Sequence, residues 1–315
     1  MPTYGEWEER VLMHCHDEVD FVSLHSYFVK PFSPDGTLPP GADASTGAFL
    51  AQIETNARYI EATVAIADAV AARRRSRKRL MLSFDEWNVW YRARHGHHLR
   101  PSGWPEAPRL LEEVYTVEDA LLIGGMLCML MNHADRVKVA CLAQLVNVIA
   151  PIMTEPGGPA WRQTIFWPFA LASRFGRGTV LRPAITSPTY PNAKEGELPF
   201  LVASVVWNEE TDGETDEKPG EGAGTLAVFA LNRHLAQPMD LAVTLAGLVS
   251  GSGLRVQEAW TLHEDDLDAS NTADAPDRVR PRALEAVAVD GESLQATLAP
   301  ASWSVIVLAP RASAR

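Results

Sequence analysis

The spacing of apolar residues changes character near Thr179, and that change limits the fold to two differently built parts. Up to about residue 178, helical and strand patterns alternate. Trp7, Val11 and Leu12 stand at helical spacing over 6–17, and 19–25 reads as a strand. From Ser45 to about Arg75, the residues Phe49, Ile53, Ala57, Ile60, Val64 and Ala67 fall three or four apart, one buried stripe of a long amphipathic helix. A strand begins at Leu80, a helix apolar all round spans 120–131, and a third strand spans 137–142. A last helix, 161–175, is closed by Gly176. Alternation of this kind builds a parallel sheet with covering helices. Beyond 179 the strands are short, at 200–207, 225–232, 239–245, 255–262 and 292–308, with links rich in glycine, proline and acid. That is the pattern of an antiparallel sandwich. The expected fold class is α/β plus all-β, with domains at 1–178 and 179–315.

A chain of 315 residues is long enough for two cores. Its net charge of −12 argues against a nucleic-acid or anionic-membrane partner, since both are bound through basic surface. The cations Arg73, Arg74, Arg75, Arg77, Lys78 and Arg79 sit where a helix ends, and there they complement its dipole. Cys15, Cys128 and Cys141 have neither disulfide nor metal spacing and read as reduced core thiols of a cytoplasmic protein. The residues after Met1 lack the basic start and apolar run of a signal peptide, and no apolar run reaches the roughly 18 residues that span a membrane. His95, His97 and His98 fit no zinc spacing, and their loop, 92–115, is placed to shape a substrate cleft. The acidic insertion 208–224 reads as disordered and carries no assignable chemistry.

The chemistry concentrates in Leu80-Met81-Leu82-Ser83-Phe84-Asp85-Glu86-Trp87-Asn88-Val89-Trp90-Tyr91, a strand running into two carboxylates among aromatic rings. Rings suit the C–H faces of a sugar, and carboxylates suit its hydroxyls. Strict alternation sets Glu86 on the face of Leu82 and Phe84, with Asp85 on the opposite face beside Met81 and Ser83. Asp85 is then expected to turn towards a loop amide or an arginine. His25, Tyr27, Glu86, Asn88, Gln144 and Asn147 gather at or just past strand C-termini, where a (β/α)8 barrel places its chemistry.

LSFDEWNVWY resembles the nucleophile motif of the α-L-arabinofuranosidases of glycoside hydrolase family 51. Residues 19–27 are similar to the family's preceding barrel strand and 143–152 to its last, while 229–234 and 298–306 resemble strands of its C-terminal sandwich. The resemblance implies a partial (β/α)8 TIM barrel, with three of the eight strands, followed by a β-sandwich. It implies retaining hydrolysis that releases terminal non-reducing α-L-arabinofuranose from arabinan, arabinoxylan or their oligosaccharides. Glu86 matches the nucleophile, and His25, Tyr27, Trp90 and Gln144 match residues of the arabinose subsite, Tyr27 being placed to hydrogen-bond the nucleophile. No metal or organic cofactor is implied, and the complete protein is expected to be a homo-oligomer. The family's acid/base glutamate follows an asparagine on an earlier strand, and no such pair precedes this motif here. Glu6, Glu8, Glu9, Asp20 and Asp85 are poorly placed to replace it. The chain therefore reads as the C-terminal part of such an enzyme. The alternatives are a non-catalytic remnant that binds sugar or pairs with a partner subunit, and another retaining glycosidase such as an endoglucanase.

Overall fold

The computed structural model describes residues 5–31, 38, 41–91, 103–104, 106, 111–209, 224–245 and 253–311. His95, His97, His98 and most of the acidic insertion (210–223) lie outside the described residues. The chain forms two compact units. One comprises Met1–Glu113, His133–Ala150 and Asn192–Glu195; the other comprises Val114–Asn132, Pro151–Pro191 and Gly196–Arg315. This grouping does not follow a single cut at 178/179.

In the first unit α1 (Glu6–Cys15), β1 (Phe21–Phe28), α2 (Thr46–Leu50), α3 (Gln52–Arg73), β2 (Met81–Val89) and β3 (Val137–Leu142) alternate, and the strands pair in parallel in the order β1-β2-β3. Val22, Leu24, Leu82 and Phe84 are buried on one face of the sheet. The α3 stripe of Ile53, Ile60, Ala67 and Val70 is buried as well, and Tyr59 of α3 meets Phe84 edge to face at 6.4 Å. The other face carries the exposed Phe21, Ser23 and His25. The helix expected over 45–75 is two helices separated by a turn at Ala51. Ser45 opens the first, its Oγ accepting from the Ala48 N–H at 3.2 Å. Four of the six cations in the basic run at the end of α3 are paired locally. Arg73 pairs with Glu9, Arg74 with Asp17, and Lys78 and Arg79 lie 3.0 Å from Asp20 and Asp135 respectively.

The second unit contains α4 (Val117–Asn132), β4 (Ile152–Thr154), β5 (Ala160–Arg162), α5 (Phe166–Phe175) and the strands that follow. A six-stranded sheet has the order β13 (Arg282–Ala283), β12 (Leu254–Leu262), β16 (Ser302–Pro310), β10 (Thr225–Asn232), β9 (Leu201–Asn208), β6 (Thr179–Leu181). A second sheet is β11 (Met239–Thr244), β15 (Ser293–Leu298), β14 (Val287–Asp290), and β7 (Thr189–Asn192) pairs with β8 (Gly196–Pro199). Pairing within the two larger sheets is antiparallel. Between them Leu226, Val228, Ala230, Ile306 and Leu308 meet Leu241, Leu294, Ala296 and Leu298 in one core. The alternate residues of β10 and β16 are buried too, because α4 covers the other face. This explains its all-round hydrophobicity. It opens at Thr116, whose N–H and Oγ–H both donate to Asp119 Oδ2 at 2.8 and 3.2 Å.

Three expectations are corrected here. The helix read over 161–175 begins only at Phe166, because Trp161 pairs with Met153 in the β4–β5 hairpin, whose turn holds Gly157 at φ 66°. The strand read over 292–308 is two strands in different sheets, β15 and β16, interrupted at Pro300, which has no N–H to give a ladder. Of the cysteines only Cys128 is a core thiol; Cys15 is half-buried and Cys141 exposed.

Candidate active site

The site is built on β1 and β2, and a β-bulge decides which side chains enter it. Ser23 pairs with Ser83, but His25 pairs with Glu86, so two steps along β1 match three along β2. On the other side Phe84 pairs with Ala140 and Trp87 with Leu142, again leaving β2 one residue long. An extra residue turns the side chains beyond it to the opposite face. Glu86 therefore shares the open face with Ser83, Ser23 and His25, and does not share the buried face of Leu82 and Phe84 as strict alternation predicts. Asp85 sits in the bulge and stays on the same side. It accepts from Ser23 Oγ at 2.8 Å and lies 3.9 Å from His25 Nε2, so the expectation that it turns away towards a loop amide or an arginine is wrong.

His25 Nδ1 is 2.7 Å from Glu86 Oε2. The Tyr27 hydroxyl donates to the same carboxylate, and its own pKa is pushed up to about 12, first by burial and then by the hydrogen bond to Glu86 and that group's negative charge. Tyr27 in turn meets the Trp90 ring edge to face, centroids 5.0 Å apart. The Trp90 N–H donates to Phe28 O at 2.9 Å, which carries the β1–β2 pairing past the strand ends and fixes where that ring stands. Glu86, His25, Tyr27 and Trp90 thus form one connected group. Glu86 remains 39% exposed and His25 54% exposed, so the group opens to solvent and to a ligand.

Gln144 is presented differently. It is exposed, in the loop that follows β3, and its N–H donates to Ile149 O at 3.1 Å. The fully buried Asn88 holds that loop: Nδ2 donates to Ala143 O at 2.5 Å and to Ile149 O at 2.6 Å. Asn88 is therefore a loop anchor rather than one of the site's polar groups. Its anchoring sustains left-handed backbone at Asn147 (φ 62°) and at the β-branched Ile149 (φ 39°), where few residues sit without surrounding support. Two polar neighbours, Ser23 and Asp85, join the site without having been singled out from the sequence for it. Ser23 was readable, because it lies two residues before His25 on the same face of β1.

A parallel β/α sheet that presents a carboxylate, an imidazole and a phenol at its strand ends, in a chain that continues into an antiparallel sandwich, has the build of a barrel-type glycoside hydrolase. Residues 85–302 match the family model described as the alpha-L-arabinofuranosidase C-terminal domain, and the chain belongs to that family. It is 44% identical over 306 residues to an intracellular exo-alpha-(1→5)-L-arabinofuranosidase of Streptomyces lividans, a match covering 97% of this chain and 42% of that protein. It is 42% identical over 312 residues to an exo-alpha-(1→6)-L-arabinofuranosidase of Bifidobacterium longum, covering 97% of this chain and 55% of that one. A solved family 51 alpha-L-arabinofuranosidase from Bifidobacterium longum superposes with a TM-score of 0.82 at 39% identity, covering 98% of this chain and 56% of that chain. The chain spans about half the length of the curated relatives it matches. No helix among the described residues is long and apolar enough to cross a membrane.

Proposed function

We propose that the chain carries the nucleophile side of a retaining α-L-arabinofuranosidase site, with Glu86 as the nucleophile and terminal α-L-arabinofuranose of arabinan, arabinoxylan or their oligosaccharides as the sugar released. The observation that carries this reading is the double grip on Glu86, from His25 Nδ1 at 2.7 Å and from the Tyr27 hydroxyl. Two donors aimed at one carboxylate fix its direction of attack. In the first step a Glu86 oxygen bonds to the anomeric carbon as the bond to the leaving oxygen breaks, and a second carboxyl protonates that oxygen. In the second step water cleaves the sugar ester, returning the carboxylate, and the second carboxyl takes the proton from the water. Trp90 and Tyr27 offer rings to the sugar, and Gln144 offers an amide from the loop that Asn88 anchors.

The second carboxyl is assigned to polypeptide outside this chain. Glu9 and Asp20 are occupied by Arg73 and Lys78, Glu6 pairs with Arg10, and Asp85 is bound to Ser23. Residues 1–178 are read as the barrel-derived part, because strand and helix alternate through α5, and 179–315 as the sandwich. The intracellular names of several relatives support a cytoplasmic location.

The test is a chimera in which this chain replaces its counterpart in the Streptomyces lividans relative. Glu86→Ala is expected to lower turnover of an aryl arabinofuranoside by roughly 10⁴-fold, with partial rescue by azide or formate entering the vacated space. Normal turnover in that variant would remove Glu86 from the mechanism.

A further inference from the structure

Within the second unit the β4–β5 hairpin and the loop 271–279 border a cleft of about 400 Å³. Ile152, Ala160 and Arg162 line one side. They share a face of the hairpin, since Arg162 pairs with Ile152 and Ala160 stands two residues before it. Pro276 and Asp277 line the other side. The volume lies in the range of small-molecule sites, about 300–1,000 Å³.

Both walls are held in place. The buried Asn271 donates from Nδ2 to Arg162 O and to Val279 O, each at 2.9 Å, and its Oδ1 accepts from the Val279 N–H at 2.8 Å. The Trp167 indole N–H also donates to Val279 O, at 3.0 Å. Within the loop the Ala275 N–H donates to Thr272 Oγ1 at 3.1 Å, and Arg278 pairs with Asp266 at 2.7 Å. The Arg162 guanidinium lies over the Phe166 and Trp167 rings, 5.3 and 5.2 Å from their centroids. A long side chain is thereby given one direction, which lowers the ordering cost of binding. Among the described residues neither this guanidinium nor the Asp277 carboxylate has a hydrogen bond or ion pair, although both line one cleft.

A ligand suited to both groups must accept from the guanidinium and donate to the carboxylate. A hydroxyl does both, and a pair of neighbouring hydroxyls suits the guanidinium fork. An anionic ligand would satisfy Arg162 but would meet Asp277 as a like charge. Ile152, Ala160 and Pro276 offer apolar surface to the C–H groups that separate hydroxyls on a sugar ring. We infer that this cleft is a second carbohydrate site, taking a neutral sugar unit of an oligosaccharide, with Arg162 donating to its hydroxyls and Asp277 accepting from them. It shares no residue with the group around Glu86, and it does not require Glu86 to be the nucleophile.

Ile152 and Trp167 report on the cleft, and Trp90 reports on the group around Glu86. With the full chain labelled at isoleucine δ1 methyls and tryptophan indole nitrogens, Ile152→Val, Trp167→Phe and Trp90→Phe assign the three signals. Titration with α-1,5-linked arabinotriose is expected to move the Ile152 and Trp167 signals along one saturating curve, with a Kd of about millimolar order. Arg162→Met keeps an unbranched chain over the rings but has no donor, and Asp277→Ala removes the acceptor from an exposed loop. Each is expected to weaken that curve by about tenfold and to leave the Trp90 response as it was. Digalacturonate, an anionic sugar, is expected to leave the Ile152 and Trp167 signals in place. Ile152 and Trp167 signals that stay still under arabinotriose overturn the inference, even where Trp90 moves. So does either variant binding as the unsubstituted chain does, or digalacturonate binding more tightly than arabinotriose.

Discussion

Tyr27 and Cys128 are two hydroxyl or thiol acids that burial keeps protonated, and each yields a prediction. The Tyr27 pKa is raised from 10.0 to about 12, with burial as the largest cause and Glu86 adding to it. A raised pKa stabilises the fold fully below the unfolded value near 10, and that contribution is lost as pH rises through about 12. Ultraviolet titration should therefore show a late phenolate transition that Tyr27→Phe removes. In Glu86→Gln the transition should move part of the way back towards 10, because burial remains when the negative charge is gone. A Tyr27 transition unaffected by the loss of Glu86 would contradict the contact between them. Cys128 is fully buried and its thiol is likewise pushed up to about 12 by desolvation. A thiolate reagent should modify Cys141 first, because it is exposed, and should reach Cys128 only after denaturation. Equal labelling of Cys128 in the native chain would mean that its helix opens readily.

At the scale of elements, strand and helix existence was legible where periodicity was long. The α3 stripe, the apolar α4 and the alternating sandwich strands needed no more than residue spacing. What spacing could not give were the breaks. Pro300 and the hairpin turn at Gly157 divide segments that look continuous. The bulge in β2 was invisible, because nothing in Ser83-Phe84-Asp85-Glu86 marks which residue the neighbouring strands will skip. That one irregularity decides the site: Glu86, Tyr27, His25 and Trp90 were each readable by number, but the shared position of Asp85 and Glu86 around one imidazole was not. Two substitutions test how elements are tied. Asn88→Ala removes the amide that binds Ala143 O and Ile149 O and leaves both carbonyls to find other partners. It should cost about 2–3 kcal/mol in denaturant unfolding, and it should loosen the loop that presents Gln144, seen as faster amide exchange over 143–149. Gly124→Ala sets a new Cβ 2.4 Å from the Trp303 ring, where α4 lies on the sandwich sheet. Overpacking of this kind costs about 1–3 kcal/mol. An unchanged unfolding midpoint would show that α4 can shift to make room.

For the whole chain the central question is how much of an arabinofuranosidase these residues provide by themselves. In the first unit β1 and β3 are the edges of a three-stranded sheet, and Trp7 and Phe21 stand 51% and 46% exposed. Exposed edges and apolar surface invite association. Residues 1–315 expressed alone should bind hydrophobic dye and should hydrolyse an aryl arabinofuranoside poorly, since general acid catalysis is worth typically about 10²–10⁴-fold. Hydrolysis at rates usual for glycosidases would mean that a carboxylate within the chain, or in a second copy, acts as the acid. The claim beneath all of this is that Glu86 bonds to the sugar. It is tested most directly by trapping that bond in the chimera with a 2-deoxy-2-fluoro-arabinofuranosyl donor carrying a dinitrophenolate leaving group, followed by peptide mass spectrometry. The account predicts the mass of one fluorinated sugar on the peptide containing Glu86, and none in Glu86→Ala. The same mass on another carboxylate, or turnover of the donor with no adduct at any time, would contradict it.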